Sequence, residues 1–461
     1  MKVFLTHGYF IREDAREQRI MKPYPPLGLL YVAAHLRTCG HDVMVYDSTF
    51  GDREELLGRI ASEQPGCIAI YVNLMTRANV VALMASIRAL KGLGHVPIVL
   101  GGPETRSHAA NFLAHGATVC VVGEGERTAE EVMAVFSGHD HGRLHEVNGI
   151  AYRDADGATV FTAEREKLKD VDGLPLPARD LIDIGAYQRA WKDRHGYSAL
   201  SVSTMRGCPY TCRWCSRAVY GLSYRRRSAA CVVDELAQLV TTYKPDRFWF
   251  VDDVFTISHK WMLAFAEELE RRDLHIAYEC ITRADRMNEE AIVLLKRSGC
   301  VQVWIGAESG SQRIIDAMDR RVDVKQVRSM LRESKRAGIG TGTFIMLGYP
   351  GETEADILET VEHLKQSDPD QFTITLAYPI AGTELHAEVR EDMTNDPEWA
   401  KSSDRDQDFR RVYRKGYYRH AIRYLTHAVH AHQQWKRGNS LSAAKHGARA
   451  ASGRLGMLLM K

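Results

Sequence analysis

The sequence predicts an α/β protein in three parts: an N-terminal doubly wound parallel sheet of Rossmann-like type, a partial (β/α)6 barrel of TIM type, and a helical C-terminal tail. Three observations carry this reading. Short β-branched runs alternate with helical patterns over residues 1–140. Six more strand–helix repeats follow a Pro-rich connection, with no sign of reversed topology. The chain then turns basic and helical in period. At 461 residues it is long enough for two or three domains. An apolar fraction of 45% can build their cores, and 26% charge matches a soluble globular protein.

KVFLTHG opens the first sheet, and LGLLYVAAHLRTCG reads as a helix stopped by Gly40. DVMVYD, a helix from about Asp52, CIAIYV and a helix over 76–90 follow. PIVLGG, a further helix, TVCVVGEG and a helix over 127–136 complete five strands. Such sheets bind ligands at strand carboxyl ends, here the loops 7–26, 47–50, 73–77, 101–105 and 123–126. NGIAYRDADGATVFT reads as a hairpin around Asp156-Gly157, and DGLPLPARDL as extended linker. LSVSTMRG then starts the barrel, followed by RFWFV, HIAYECI, VQVWIGA, TGTFIML and QFTITLA. The expected division is 1–142 for the Rossmann-like domain, 143–196 for the linker with its hairpin, 197–390 for the barrel and 391–461 for the basic helical region.

Charge reaches the N-terminus by Arg12, so the first residues read as a strand and not a signal peptide. No apolar run approaches the roughly 18–20 residues that cross a bilayer. The expectation is a cytoplasmic protein. Nine cysteines in a reducing compartment are not a disulfide framework. Cys39, Cys67, Cys120, Cys231, Cys280 and Cys300 stand singly among apolar residues and read as buried small hydrophobes. Residues 401–461 carry 14 Lys+Arg against 3 Asp+Glu, a balance of +11. With the whole chain at +2, the rest carries −9.

The remaining cysteines, Cys208, Cys212 and Cys215, lie in RGCPYTCRWCSRAVYG at the end of the first barrel strand. Zinc would want a fourth ligand, for which Cys231 is the nearest cysteine. A [4Fe–4S] cluster held by three cysteines leaves one iron open to a substrate or cofactor, and the spacing favours it. Polar residues mark the other barrel strand ends: Asp252 and Asp253, Arg283, Glu308-Ser309, Gly348 to Gly351, and Tyr378-Pro379. In a parallel barrel that rim is where chemistry sits.

C-x3-C-x2-C with Trp214 before its third cysteine, set after the first strand of a partial barrel, resembles the radical S-adenosylmethionine (SAM) superfamily over residues 199–388. The resemblance implies that Cys208, Cys212 and Cys215 ligate the cluster and that its open iron chelates SAM. Electron transfer then yields methionine and a 5′-deoxyadenosyl radical. It also implies roles in SAM binding for Trp214 (adenine), Asp252 and Asp253 (ammonium), Arg283 (carboxylate), Glu308 (ribose) and Met346 to Gly348 (adenine, through backbone). The Asp252-Asp253 pair departs from the family's usual Gly-Gly-Glu type motif. In the N-terminal half, KPYPPLGLLYVAAHLRTCGHDVMVYD, GGPETRSHA and VVGEGERTAEEV are similar to the cobalamin-binding class over residues 1–136. That likeness implies cobalamin contacts from Asn73, Thr76, Gly101, Gly102, Pro103, Gly123 and Glu124. No Asp-x-His-x-x-Gly is present, so no histidine is expected on cobalt.

Together the two likenesses imply a cobalamin (B12)-binding-domain-containing radical SAM enzyme that uses a [4Fe–4S] cluster, SAM and methylcobalamin. The expected reaction is C-methylation of an unactivated carbon. An oxidative cyclase or ring-rearrangement enzyme is the alternative, ahead of a methylthiotransferase or a non-catalytic cobalamin or redox sensor. A flavodoxin- or ferredoxin-type electron donor is implied, and nucleic acid is not an expected partner. The basic tail suits a carrier protein or a peripheral membrane surface, and with it a small-molecule or lipid-like substrate. Within it, Ile422, Leu425 and Val429 predict a helix packed on the barrel. His427 and His430, at i,i+3, read as part of a solvated basic face before they read as metal ligands.

Overall fold

The computed structural model describes residues 1–138 and 141–461. They form two compact units. One holds Met1–Pro209, Ser216–Phe248 and Pro397–Asp406; the other holds Tyr210–Cys215, Trp249–Asp396 and Gln407–Lys461.

The first unit contains β1 (Lys2–His7), α1 (Ala15–Ile20), α2 (Leu27–Thr38), β2 (Asp42–Val45), α3 (Arg53–Glu63), β3 (Cys67–Tyr71), α4 (Arg77–Arg88), β4 (Ile98–Gly101), α5 (Thr105–Ala114), β5 (Val119–Val121) and α6 (Glu126–Ser137). Their sheet runs β2-β1-β3-β4-β5, parallel throughout, with the order reversing beside β1. Crevices at such a reversal are where open α/β sheets bind ligands. The strands bury both faces: Val3 and Leu5 enter one core with Val99 and Val119, while Phe4 enters the other with Ile68, Ile70 and Leu100. The hairpin expected around Asp156-Gly157 is β6 (Ile150–Arg153) and β7 (Thr159–Phe161). It is not a detached linker feature, since β6 pairs antiparallel with β5 and extends the sheet.

Cys67 and Cys120 sit in strand cores, where burial pushes their thiols up, as expected of small hydrophobes. Cys39 departs from that reading: it caps the C-terminus of α2 and is exposed. Cys231 is only half-buried. The unit continues through α7 (Ile184–His195), β8 (Ala199–Val202), a two-stranded ribbon of β9 (Met205–Arg206) and β10 (Arg225–Arg226), and α8 (Ala229–Tyr243).

The division between units falls within β11 (Arg247–Phe250). The second unit then alternates α9 (His259–Arg271), β12 (Tyr278–Thr282), α10 (Glu289–Arg297), β13 (Cys300–Glu308), α11 (Gln312–Ala317), α12 (Val324–Arg336), β14 (Gly340–Leu347), α13 (Glu354–Ser367), β15 (Gln371–Leu376) and α14 (Glu384–Glu388). The second sheet runs β8-β11-β12-β13-β14-β15, so each strand neighbours its predecessor in the repeat and the edges stay open. Strands β12 to β15 pair in parallel. That is the partial barrel, with strand carboxyl ends on one rim.

The tail is an α-hairpin of α15 (Lys415–Lys436) and α16 (Ser440–Leu459). Helix α15 buries Tyr417, Tyr418, Ala421, Leu425 and Val429, and Ile422 is half-buried beside them. It packs on α13, and Gln433 Nε2 donates to the Pro369 carbonyl at 2.8 Å. Residues 391–461 do not act as one piece. Residues 397–406 belong to the first unit, where Trp399 packs on Phe112 of α5 and Asp404 pairs with Arg77.

Candidate active site

The cysteines ride on a loop whose base is built by charge. β9 and β10 pair antiparallel, Arg206 opposite Arg225, and so close residues 207–224 into a loop. Gly207 turns the chain out of β9 with φ +81°, and a Cβ there would lie 2.3 Å from Ser223 Oγ. Glu124 holds both ends of this loop: its carboxylate accepts from Arg206 Nη1 at 2.9 Å and from Arg225 Nη1 at 2.6 Å. Glu126 takes a second ion pair from Arg206. All three members of the Arg206 group are nearly buried, so each charge relies on its partners for solvation. Burial alone would raise the Glu124 carboxyl, but these donors and the Leu168 N–H hold it below its ordinary value. Glu124, a candidate cobalamin contact, places its carboxylate on Arg206, Arg225 and the Leu168 N–H.

In the second unit, Cys212 is buried and Cys215 exposed. The short segment that carries them is pinned by backbone: Arg213 N–H donates to the Met318 carbonyl at 3.1 Å, and the Arg213 carbonyl accepts from Leu385 N–H at 2.9 Å. Arg283, 3% exposed at the end of β12, donates Nη1 toward Cys212 Sγ at 3.5 Å. Its Nε binds Asp285 at 2.9 Å, its Nη2 binds the Arg320 carbonyl at 2.6 Å, and its plane lies 3.7 Å from the Tyr210 ring centroid. This guanidinium is committed to the cysteine segment.

Arg320 was not foreseen, since DRR in the sequence looks like any charged surface turn. It is 6% exposed, donates Nη2 to the Gly306 carbonyl at 2.6 Å, faces Glu308 at 3.6 Å and lies 5.7 Å from the Trp214 ring centroid. Its Nε is buried without a hydrogen-bond partner among the described residues. Glu308 ends β13 at a bulge, in the left-handed region with φ +66°. A non-glycine residue held there costs of order 1–3 kcal/mol, and such strain clusters at functional positions. Burial raises the Glu308 carboxyl, against the pull of Arg320 and Arg283.

Asp252, 2% exposed, and exposed Asp253 follow β11. Trp214 and Met346 pack against the cluster of Ile314, Met318, Tyr349 and Leu385. Gly348 turns after β14 and donates its N–H to buried Glu352 at 2.5 Å. These residues fit SAM chemically. Carboxylates suit its ammonium and sulfonium, an arginine with an unfilled donor suits its carboxylate, and an apolar wall suits its adenine.

At the carboxyl ends of the first sheet the candidates separate. Gly101 has nothing within 4 Å of an added Cβ, so open space lies over it. Gly102 is glycine for the fold's own reason: at φ +121° its Cβ would lie 2.2 Å from the Val72 carbonyl. Pro103 follows in the same turn, and Gly123 turns at φ +104°. Asn73 and Thr76 build the loop after β3. Asn73 Oδ1 accepts from the N–H groups of Met75 and Thr76, and Thr76 Oγ1 accepts from Asn73 N–H, so each caps the other. Met75, 40% exposed, is what that loop presents outward.

Two histidines lie near these strand ends. His7 Nε2 bonds Asp47 at 2.9 Å and its Nδ1 accepts from Tyr9 N–H at 3.2 Å. His108 Nδ1 accepts from Trp399 Nε1 at 3.2 Å, and its Nε2 faces Asp404 at 3.7 Å beside the Arg77 guanidinium.

Comparison with known proteins agrees with both halves. The family model of the B12 binding domain matches residues 19–133, and that of the Radical SAM superfamily matches residues 202–364. An uncharacterized methyltransferase of Pyrococcus horikoshii is 28% identical over 383 residues, covering 81% of this chain and 80% of the relative. The anaerobic magnesium-protoporphyrin IX monomethyl ester cyclase of Rubrivivax gelatinosus is 26% identical over 400 residues, covering 84% and 70%. The structure of the radical SAM methyltransferase TsrM from Kitasatospora setae, with cobalamin and a [4Fe–4S] cluster bound, shares the fold at a TM-score of 0.72. It is 17% identical, with 97% and 99% of the two chains covered. A B12 binding domain and a radical SAM domain thus share one polypeptide, and the chain belongs to the cobalamin-binding-domain-containing radical SAM enzymes, whose cofactors are a [4Fe–4S] cluster, SAM and cobalamin.

Proposed function

We propose that this enzyme is a C-methyltransferase acting on an unactivated carbon, with residues 1–142 as its cobalamin domain and 197–390 as its barrel. The observation that carries this reading is the match to the Pyrococcus horikoshii methyltransferase, which spans four-fifths of both chains and so takes in both cofactor domains. When bound, the cluster with SAM supplies a radical that abstracts hydrogen, and cobalamin supplies the methyl group.

The protein's own residues would do the rest. Cys208, Cys212 and Cys215 hold the cluster. Glu124 and Glu126 keep their loop closed at its base, and Arg283 donates to the Cys212 sulfur. Arg320 would offer its unfilled Nε to the SAM carboxylate, Asp252 and Asp253 would serve its ammonium, and Glu308 its ribose. Trp214, Met346 and the Gly348 backbone form the adenine wall. The space over Gly101, with Pro103 and Gly123, receives cobalamin.

Incubating the reconstituted enzyme with substrate extracts and SAM carrying a deuterated methyl group tests the reaction. A deuterated methyl in the product, together with 5′-deoxyadenosine, is the expected result. Product that forms with 5′-deoxyadenosine but no label identifies the cyclase reading, which the Rubrivivax relative favours. A full cluster that cleaves no SAM overturns both.

No helix among the described residues is long and apolar enough to cross a membrane. The tail hairpin nonetheless exposes Trp435, Leu441, Leu455, Leu458 and Leu459 beside its basic residues. We infer peripheral contact with an anionic lipid surface, which suits a lipid-like substrate. Flotation with anionic liposomes should carry the full chain and leave an L455E/L458E/L459E variant behind. Equal flotation of the two removes this reading.

A further inference from the structure

The tail hairpin brings together three histidines that the sequence keeps apart. His427 and His430 lie three residues apart on α15, so they share one face of that helix. Helix α16 returns antiparallel and sets His446 against both. One ring nitrogen from each lies within 4.8 Å of those of the other two, and His427 Nδ1 is 3.0 Å from His446 Nδ1. The His446 ring centroid is 5.1 Å from that of His427 and 5.2 Å from that of His430. All three side chains are half-buried. The solvated basic face expected from sequence is therefore a closed histidine group.

The surroundings bear on what such a group can hold. His430 also packs on Phe372 of β15, with ring centroids 5.3 Å apart, which fixes one side of the site in apolar contact. A neutral imidazole ligates metal through either ring nitrogen. Tetrahedral zinc with bonds of about 2.0–2.1 Å puts its nitrogens about 3.4 Å apart; one pair here lies at 3.0 Å and the others within 4.8 Å. Another buried metal-ligand grouping, Glu104, His108 and Asp404, behaves differently: the Arg77 guanidinium already sits among its atoms and supplies the cation. No lysine or arginine side chain bridges the three tail histidines among the described hydrogen bonds.

We propose that His427, His430 and His446 form a divalent-metal site, suited to zinc, that staples α16 onto α15. No carboxylate joins the group, and Arg423, Arg437 and Arg449 surround it. That charge selects an anion, such as chloride or hydroxide, for the fourth position. The site uses none of the cluster cysteines and stands apart from the proposed reaction.

The test is zinc content and zinc-dependent stability of the full chain after its cluster has been reconstituted, so that the cysteines are occupied by iron. Wild type and H432A, whose altered histidine is outside the group, should each retain about one equivalent of zinc after dialysis. H446A and H430Q should retain less than a tenth of that. Zinc should raise the Tm of wild type and leave that of H446A unchanged, while circular dichroism of the metal-free proteins coincides. H430Q keeps side-chain bulk against Phe372 and reads the site even where H446A loosens the hairpin. Equal zinc content in wild type, H446A and H430Q overturns the proposal, whatever the state of the cluster.

Discussion

A single guanidinium shows how much one residue can do here. Arg283 approaches Cys212 Sγ with a donor at 3.5 Å while its other donors are fixed by Asp285 and the Arg320 carbonyl. A positive donor at a ligating sulfur favours the reduced, more negative cluster. Hydrogen bonds to charged groups are worth about 1.5–3 kcal/mol, and only part of that differs between redox states. Since about 1.4 kcal/mol corresponds to 59 mV for one electron, R283Q should make the cluster midpoint about 50 mV more negative. Potentiometric titration followed by electron paramagnetic resonance (EPR) measures this, and an unmoved midpoint would show that Arg283 only packs. A second prediction concerns histidine nitrogen. With both ring nitrogens of His7 engaged and His108 Nδ1 taken by Trp399 Nε1, EPR of the cob(II)alamin-loaded enzyme should lack the nitrogen splitting of an axial histidine. A nitrogen triplet that vanishes in H108A would place that ring on cobalt instead.

Between residue and domain, the working element is the cysteine loop with its acidic clamp. Among the described residues Glu124 is the one carboxylate that touches Arg206 and Arg225 together, so E124A takes this carboxylate from Arg225 and leaves Arg206 with Glu126. Removing one partner of a buried ion pair costs about 3–5 kcal/mol, and the surviving Glu126 places the expected loss near or below the lower end. Iron per chain after reconstitution should fall several-fold while the far-ultraviolet spectrum stays the same. Full iron loading of E124A would reduce the clamp to a stabilising ion pair. This element also marks the boundary of what the sequence could tell. Strands and helices followed from local periodicity, and the cysteine triplet from its spacing, because both are encoded within a few residues. The clamp joins positions 124, 126, 206 and 225, and no local pattern announces such a pairing. Likewise Arg320 reads like Arg321 beside it, yet one is buried under Trp214 and the other exposed. Asn73 and Thr76 bond each other within one turn, a pairing that their residue types alone do not announce. Polar residues at a strand end locate a site; whether they serve ligand or loop depends on partners that only folding supplies.

At the scale of the whole molecule, two buried groups on and beside α13 set opposing limits on stability. Burial lowers the His363 pKa to about 3, with the Arg328 charge adding to it. An unfolded histidine titrates near 6.5, so below that pH the unfolded chain takes a proton that the folded chain refuses, and stability falls with acidity. Asp356 extends this limb. Its donors Arg313, Thr353 and Ser311 outweigh burial and lower it to about 2, so its contribution is lost as pH drops below the usual carboxylate range. Glu352 acts the other way. Burial, reinforced by the Asp356 charge, raises it to about 8 against the pull of the Gly348 N–H and Arg313. From its ordinary value of 4.5 up to about 8, the unfolded chain gives up a proton that the folded chain keeps, so stability falls as pH rises. Between those limits the His363 and Glu352 slopes cancel, which predicts a plateau from about pH 4.5 to 6.5. From pH 6.5 to 8 Glu352 acts alone, at about 1.4 kcal/mol per pH unit, a loss of about 2 kcal/mol. Tm measured in steps from pH 4 to 9 should therefore hold level, then drop by several degrees toward pH 8. E352Q keeps an oxygen for the Gly348 N–H but cannot ionise; it should abolish that drop and, with the His363 slope no longer cancelled, turn the plateau into a rise in Tm from about pH 4.5 to 6.5. A variant that declines as steeply as wild type above pH 6.5 would assign the alkaline limb to another group.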